Sequence, residues 1–334
     1  MNLSTKYLGL SLAHPLMAGA SPLSHDLDSV RRLEDAGSSA IVLHSLFEEQ
    51  IALEQLAAQK HLHGPSNSYV EAASYFPSTQ VFALGVEAYL EHLQRVRAAV
   101  KVPVIASLNG TTAGGWLHYA RQIQQAGASA LELNLYNLST DAEWSADKLE
   151  AEQLAMVRTL TNELHIPVAV KLSPLYTALP HFLVALADAG AAGAILFNRF
   201  YQPDIDIEGL DLKRELHLSD PSELLLRLRF LAIASPQLGE RLSLCCSGGV
   251  HSSHDAIKAI MAGAHAVQMV SALLLNGAAH LRGVIDGLRQ WLQAHEYESI
   301  DQLRGSMDLS RCPDPGAYER ANYIHILQGW HGRR

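Results

Sequence analysis

An Ala-Gly dipeptide followed by an apolar run recurs four times along the chain. Each dipeptide ends a segment with helical periodicity, and the apolar run begins a few positions later without polar alternation. Glycine suits the left-handed turn that ends a helix, and an uninterrupted apolar run is typical of a strand buried on both faces. The pattern predicts a parallel sheet with connecting helices. The pairs are Ala36-Gly37 with Ile41–Leu43, Ala126-Gly127 with Leu131–Leu135, Ala189-Gly190 with Ala194–Phe197, and Ala262-Gly263 with Ala266–Val270.

Four further apolar runs raise the number of predicted parallel strands to eight. Eight strands close a (β/α)8 TIM barrel, and a chain of 334 residues is long enough for that barrel with insertions. An open, doubly wound sheet is the alternative, but no G-x-G-x-x-G motif follows the first strand to support its dinucleotide-binding form. The predicted strands are Leu16–Ala20, Ile41–Ser45, Val104–Leu108, Leu131–Leu135, Val168–Leu172, Ala194–Phe197, Leu242–Cys246 and Ala266–Val270.

Two segments exceed what the barrel needs. Residues 198–219 follow the sixth strand with alternating apolar positions, which predicts a protruding hairpin or an ordered loop. Ser219-Asp220-Pro221 then predicts the start of a helix, because a capping residue precedes a proline in the first turn. We expect the amphipathic stretch 318–326 to form a helix packed on the barrel or on a partner. No linker-like segment interrupts the chain, so we expect residues 1–334 to form one domain.

Composition narrows the function classes. The formal net charge of −9 argues against nucleic-acid binding, which needs a basic surface. No run of 18 apolar residues occurs, so we expect no membrane span. The polar N-terminus lacks a signal-peptide core, and Cys245 and Cys246 adjoin in a strand that points them to opposite faces, so we expect a cytoplasmic protein. Seventeen histidines show no H-x-x-x-H spacing, which disfavours a metal site.

Polar residues at the ends of the last two strands indicate a phosphate site. Ser247-Gly248-Gly249 follows the seventh strand, where two glycines let backbone N–H groups approach an anion. Val270-Ser271 follows the eighth strand and opens a helix whose first N–H groups attract the same anion. Barrels of this kind often bind phosphate between these two strands. The alternative is an ordinary tight turn.

Three side chains in or after other strands favour a flat, electron-rich ligand. Lys171 lies inside an apolar run, where an ammonium without a partner is costly to bury. It could be held against a reduced flavin ring, or it could extend to the barrel rim. Asn134 and Asn198 offer amide donors and acceptors to a ring with alternating N–H and C=O groups, although either could be a satisfied core asparagine.

These motifs, in this order, resemble those of the dihydroorotate dehydrogenase family, nearest its soluble class 1 branch. The resemblance extends from Tyr7 to about Gly305 and implies a single FMN-binding (β/α)8 barrel domain that oxidises dihydroorotate to orotate in pyrimidine biosynthesis. It also implies a homodimer. The motifs are Leu131-Glu132-Leu133-Asn134-Leu135, Val168-Ala169-Val170-Lys171-Leu172, Ser247-Gly248-Gly249-Val250 and Ser271-Ala272-Leu273.

The resemblance also implies roles for individual residues. The FMN phosphate would lie on Gly248, Gly249, Val270 and Ser271, with Lys171 at the isoalloxazine. Gly19 and Ala20 would lie along the ring, and Asn134 and Asn198 beside the pyrimidine substrate. The strand-end residues Ser45, Asn109 and Ser247 complete the cofactor-binding set that we predict.

The substrate half of the motif set departs from the family. The family's loop after strand four reads Asn-Leu-Ser-Cys-Pro-Asn, and its cysteine, or a serine in the membrane branch, is the catalytic base. Asn137 stands at that position here, and an amide cannot accept a proton usefully near neutral pH. His44 replaces the family's lysine after strand two. The family's Asn-Ser-Met-Gly-Leu segment is not found before Ala83-Leu84-Gly85.

The loop after strand four leaves few candidates for the base. Ser139 is the first choice, through a proton relay in a closed loop, and Tyr136 is next if its pKa is strongly lowered. His44 has the best intrinsic pKa but is expected beside the flavin. We therefore expect slow oxidation of dihydroorotate or preference for another dihydropyrimidine-like ring. The alternatives are an FMN-containing electron-transfer accessory subunit and a flavin-free, phosphate-binding lyase or isomerase.

Overall fold

The computed structural model describes residues 1–47, 85–110, 117–135, 139–199, 203–213, 216–314 and 323–329. Eight strands close into a barrel in which every neighbouring pair is parallel, in the order β3 (Leu16–Ala18), β4 (Ile41–Phe47), β5 (Val104–Asn109), β6 (Ala130–Asn134), β7 (Val168–Leu172), β8 (Gly193–Leu196), β11 (Ser243–Ser247) and β12 (Ala266–Met269). The predicted TIM barrel is confirmed. In chain order the strands are β1 Thr5–Tyr7, β2 Leu10–Leu12, β3 Leu16–Ala18, β4 Ile41–Phe47, β5 Val104–Asn109, β6 Ala130–Asn134, β7 Val168–Leu172, β8 Gly193–Leu196, β9 Asp204–Asp206, β10 Asp211–Lys213, β11 Ser243–Ser247 and β12 Ala266–Met269.

Helices surround the barrel and connect its strands. The four glycines of the recurring Ala-Gly pairs have φ angles of 99°, 92°, 88° and 114°, so each adopts the left-handed turn that the sequence predicts. In chain order the helices are α1 Leu27–Asp35, α2 Val86–Ala99, α3 Leu117–Gln125, α4 Ala146–Glu163, α5 Leu179–Asp188, α6 Leu224–Leu238, α7 Ser253–Met261, α8 Ser271–Asn276, α9 His280–Ala294 and α10 Ile300–Leu303, with 3-10 turns at Pro22–Ser24, Pro221–Glu223, Gly239–Arg241 and Leu309–Arg311.

Alternation along each strand divides the core into two parts. On β6, Leu131 and Leu133 join the larger apolar cluster between the strands and the helices, whereas Ala130 belongs to a smaller cluster within the barrel. Residues two apart on a strand share a face, so Glu132 and Asn134 also point inward. The apolar runs that predict buried strands therefore also contain polar residues, which face the inside of the barrel near the carboxyl ends of the strands.

A short hairpin closes the amino end of the barrel. Strands β1 and β2 pair with each other, and their side chains Tyr7, Leu8 and Leu12 pack against inward-facing residues of the barrel strands. Cys245 belongs to this inner cluster and Cys246 to the outer one, which confirms that they face opposite sides of β11. With one end of the barrel filled by apolar side chains, the carboxyl end remains for polar chemistry.

The insertion after β8 forms the predicted hairpin. Strands β9 and β10 pair antiparallel, and the apolar side chains of this hairpin are exposed, with Ile207 75% and Leu210 88% accessible. The Asp220 carboxylate accepts a hydrogen bond from Ser222 N and so caps the predicted turn into α6.

The carboxy-terminal stretch is helical over 323–328, which overlaps the predicted helix 318–326 at its end. Its apolar side chains are exposed. This part of the chain therefore does not pack on the barrel, which was one of the two expectations. Docking on a partner stays a prediction. No helix in the described part of the chain is long and apolar enough to cross a membrane.

Candidate active site

A cavity of about 240 Å³ opens at the carboxyl end of the barrel. Its wall combines the ends of five strands, β3, β7, β8, β11 and β12, with the segment that leads into α6. Eight of the predicted cofactor and substrate residues line it: Ala20, Lys171, Asn198, Ser247, Gly248, Gly249, Val270 and Ser271.

The turn after β11 accepts only glycine. Gly248 and Gly249 have φ angles of 95° and 76°, a region that side chains rarely adopt. A Cβ on Gly248 would lie 2.7 Å from Nη2 of Arg227, and a Cβ on Gly249 would overlap the backbone of Leu224. The backbone at the cavity wall is therefore bare, as close approach of an anion requires.

Arg227 holds this turn from below. Its Nε donates to the Ser247 carbonyl at 2.9 Å, its Nη1 donates to the Glu223 carbonyl at 2.7 Å, and its Nη2 lies 3.4 Å from the Glu223 carboxylate. Arg227 is buried on α6 although it carries a charge. It fixes the strand end that leads into Gly248 and adds positive charge beside the turn.

Ser219 connects the two halves of the predicted phosphate site. Its backbone N and its hydroxyl donate to Ser271 Oγ at 3.0 and 2.8 Å, and Gly249 N donates to the Ser219 hydroxyl at 3.3 Å. The Ser219 carbonyl contacts the His251 ring at 2.7 Å. The Ser271 hydroxyl accepts both bonds from Ser219 and so keeps its own proton to donate to an oxyanion at this end of the cavity.

Lys171 is buried and has two partners inside the barrel. Its Nζ donates to Glu132 Oε1 at 3.1 Å and to Gln268 Oε1 at 3.2 Å, and Gln268 Nε2 donates to Glu132 Oε2 at 2.5 Å. The alternative in which Lys171 extends freely to the rim is therefore excluded. Burial of the ammonium is offset by a carboxylate and an amide.

A separate polar cluster occupies the ends of β4, β5 and β6. Asn134 Nδ2 donates to the hydroxyls of Ser45 and Ser107 at 3.1 and 2.9 Å, and these hydroxyls lie 2.8 Å apart. Tyr89 of α2 contacts Ser107 from behind, accepting from its N at 3.1 Å. Asn134 is paired in register with Lys171, so this cluster adjoins the cavity, but Asn134 and Ser45 are not among the residues that line it.

The remaining predicted binding residues lie at or near the cavity. Gly19 precedes Ala20, and a Cβ at Gly19 would lie 2.7 Å from Cγ2 of Val270, so glycine lets the ends of β3 and β12 approach. Asn198 lines the cavity, and its Oδ1 accepts from Arg199 N at 2.9 Å. Asn109 ends β5 beside Asn134 of β6, two strands away from Lys171 of β7, and does not line the cavity.

His44 is not brought to the cavity as expected. A register shift between Val42 and Ser45 inserts an extra residue in β4, which turns Ser45 into the barrel and leaves His44 against the surrounding helices. Its ring packs edge-on against His25 and Tyr89, at centroid distances of 4.2 and 5.2 Å.

Of the other candidate bases, the structure describes Ser139, which does not line the cavity. The Ser139 hydroxyl is exposed and donates to the Asp141 carbonyl at 3.2 Å. Tyr136 and Asn137 lie outside the described residues. Among the described residues, no group of three or more His, Cys, Asp and Glu side chains is arranged to hold a metal ion.

Comparison with known proteins identifies the family. The family model described as dihydroorotate dehydrogenase matches residues 81–292, more than half of the chain. The chain belongs to the dihydroorotate dehydrogenase family. The resemblance that the sequence motifs indicated is thereby confirmed.

Curated relatives match over most of their length. A protein of Endomicrobium trichonymphae named dihydroorotate dehydrogenase B (NAD(+)), catalytic subunit, is 24% identical, covering 93% of this chain and 98% of that protein. Relatives with the same printed name are 28% identical in Desulforudis audaxviator, covering 89% and 95%, and 24% identical in Thermoplasma acidophilum, covering 91% and 98%.

Proteins of the dihydroorotate dehydrogenase family generally bind flavin, and the cavity fits such a group. The bare backbone at Gly248 and Gly249, with Ser271 beside it, suits a phosphate. Lys171 supplies a cation in the same cavity for a ring that gains negative charge. These features come from the geometry of the chain itself.

Four side chains that build this site were not predicted from the sequence: Glu132, Arg227, Gln268 and Ser219 as a hydrogen-bond partner. Glu132 and Gln268 lie within apolar runs at positions that face into the barrel. The alternation of side chains along a strand is therefore the signal that could have identified them. Arg227 falls on a helix of mixed polarity and carries no such signal. Ser219 was interpreted only as part of a helix start.

The histidine packing predicts acid sensitivity. Burial, with smaller contributions from His25 and His92, lowers the pKa of His44 from 6.5 to about 4. Burial, followed by the charge of Arg304, likewise lowers the pKa of His265 to about 4. Between pH 6.5 and about pH 4, these two histidines bind protons in the unfolded chain but not in the folded protein. The free energy of unfolding therefore falls as the pH drops from 6.5 toward about 4.

Replacement of His44 by Phe removes one of these groups while keeping an aromatic ring. Nδ1 of His44 is buried without a hydrogen-bond partner in the described part of the chain, so the ring loses little by the change. Urea unfolding at about pH 7 and about pH 5 should give a smaller acid-induced loss for His44→Phe than for the parent. An equal loss in both proteins would contradict this assignment.

Proposed function

We propose that the protein is an FMN-dependent oxidoreductase acting on a CH–CH bond of a dihydropyrimidine-like ring, with a largely family-like flavin half and an altered substrate half. The observation that carries the proposal is the meeting of Gly248, Gly249, Ser271 and Lys171 on one cavity of a dihydroorotate dehydrogenase family barrel. The family's enzymes are oxidoreductases acting on CH–CH groups. The substrate and the base are the points at which this chain departs.

The cofactor would be held at both ends. Gly248, Gly249 and Ser271 would bind its phosphate through backbone N–H groups and a hydroxyl, with the Arg227 charge behind the turn. Lys171 would lie at the ring, which Gly19 and Ala20 would flank. When bound, FMN would supply the acceptor for a hydride from one substrate carbon, while a base would take the proton from the neighbouring carbon. Asn198, at the cavity wall, would orient a substrate amide beside it.

Proton removal is the less complete half of the site. The family's cysteine position carries Asn137, and an amide side chain cannot act as the base. Ser139 and Tyr136 remain the proposed proton acceptors on that loop. The exposed Ser139 hydroxyl would need the loop to close over the substrate before it could act. His44, packed against α2, would serve only indirectly.

Cofactor binding is the direct test of the proposal. FMN should bind without a covalent link and give the protein flavin absorbance. Gly249→Asp should abolish uptake because its Cβ would displace the turn from Leu224 and its carboxylate would repel the phosphate. Ser271→Ala, which adds no atom, should weaken binding by about tenfold, the worth of one charge-assisted hydrogen bond. Gly283→Ala is the matched control, since a Cβ there meets nothing within 4 Å. Circular dichroism verifies that each variant is folded.

A protein that neither contains FMN nor takes it up would contradict the proposal. That result would favour the flavin-free lyase or isomerase. Full FMN binding without oxidation of any dihydropyrimidine would favour the accessory electron-transfer role.

Restoring the family's base tests the altered half. Asn137→Cys should raise the rate of dihydroorotate oxidation by about 100-fold, within the range that general-base catalysis contributes. Asn137→Ser and Asn137→Ala are controls for a weaker base and for loss of the amide. Rapid oxidation by the parent protein, unaffected by combined Ser139→Ala, Tyr136→Phe and His44→Ala, would contradict the proposed loss of the base.

We also propose a homodimer formed through the β9–β10 hairpin. The exposed side chains of Ile207 and Leu210 at its tip are the support, since apolar groups so exposed often mark an interface. Light scattering should give twice the chain mass for the parent. Ile207→Asp with Leu210→Asp should give a monomer, whereas Met307→Asp, at an exposed residue elsewhere, should not. A monomeric parent would contradict the proposal.

A single domain over 1–334 and a cytoplasmic location complete the proposal. The lack of a linker-like segment in the sequence supports the single domain, and the low number of cysteines supports a reducing compartment. Cys245, Cys246 and Cys312 are all free thiols, as expected in a reducing compartment.

A further inference from the structure

The Lys171 contact extends across the interior of the barrel. Lys171 and Glu132 lie on the neighbouring strands β7 and β6, whereas Gln268 lies on β12 at the opposite side of the barrel. The three side chains form a closed ring of hydrogen bonds of 3.1, 3.2 and 2.5 Å. Glu132 and Gln268 are each 1% exposed and Lys171 is 7% exposed.

The three residues differ in how they meet the cavity. Lys171 and Gln268 line it, but Glu132 does not. Glu132 therefore lies below them and would reach a ligand only through its two partners. A carboxylate so deeply buried is stable as an anion only because both of its oxygens accept hydrogen bonds, one of them from a cation.

Three titratable neighbours interact with this pair, namely Tyr7, Tyr89 and Cys245. Burial raises the pKa of Tyr7, of Tyr89 and of Cys245, so all three are neutral near pH 7. These neighbours therefore add no charge to that of Lys171 and Glu132.

We propose that Glu132 is a positioning residue that keeps Lys171 in its charged form and, through Gln268, aims it at the cavity. This inference rests on the proposed function, because the ammonium matters to a ring that gains negative charge on reduction. Glu132 does not touch the cofactor. The Glu132 carboxylate lowers the energetic cost of burying the Lys171 ammonium at the cavity floor. Gln268 forms hydrogen bonds with both groups and so fixes their positions.

The pair is tested first in cofactor-free protein. Glu132→Gln and Lys171→Met each leave one buried partner without its counterion, whereas the double variant removes both charges. Thermal unfolding should show that the double variant is destabilised by less than the sum of the two single changes, and is more stable than either. Additive losses would overturn the ion pair on which the inference depends.

The charge of Lys171 is tested on the cofactor-loaded protein. The midpoint potential of the bound FMN is measured between about pH 6 and about pH 9, which lies below the ordinary pKa of a lysine side chain. In the parent, the proposal expects Glu132 to keep Lys171 charged, so the potential should follow only the flavin's own protonation. In Glu132→Gln the ammonium has no anionic partner, and burial disfavours its charged form. Lys171 should then take up a proton on flavin reduction, which steepens the fall of the potential with pH.

The double variant provides the control. Glu132→Gln with Lys171→Met has no lysine to protonate and should return to the parental slope. A merely structural role for Glu132 would lower stability without changing the slope. FMN uptake with the same slope in the parent and in Glu132→Gln would overturn the inference, whereas failure to take up FMN would count against the proposed function itself.

Discussion

A cation inside an apolar barrel is the interaction on which the rest of the site depends. Lys171 is buried among strands whose outward faces are packed against helices. Its burial is possible because Glu132 and Gln268 meet it at 3.1 and 3.2 Å. An unpartnered ammonium would be neutralised or would unfold the barrel locally. The inner polar stripe of β6, β7 and β12 therefore forms as a unit.

Barrel closure decides where that unit is placed. The β1–β2 hairpin fills the amino end with Tyr7, Leu8 and Leu12, so polar side chains collect toward the carboxyl end. The Gly248-Gly249 turn ends β11 in the same layer, and Arg227 holds it from behind. A positively charged floor and a bare backbone wall thus share one cavity. This combination is what a phosphorylated, electron-accepting ring requires.

The sequence predicts the fold more fully than the site. Helix-ending glycines and buried apolar runs are local signals, and all eight barrel strands lie where these signals indicate, with ends that differ by at most two residues. Gly248, Gly249 and Ser271 also follow from strand order. Glu132 as the partner of Lys171 was missed because partners across a barrel are set by closure and register, which no local pattern contains. His44 was misplaced because the register shift in β4 leaves no mark in the sequence.

The central claim is that the flavin half of the site is largely family-like whereas the substrate half is altered. One anaerobic titration tests this claim most directly. FMN-loaded protein is mixed with dihydroorotate, and flavin absorbance is followed, with a chemical reductant as the reference for complete reduction. The account predicts full reduction by the chemical reductant and slow reduction by dihydroorotate, because Asn137 stands at the position of the base. Rapid, complete reduction by dihydroorotate would contradict it.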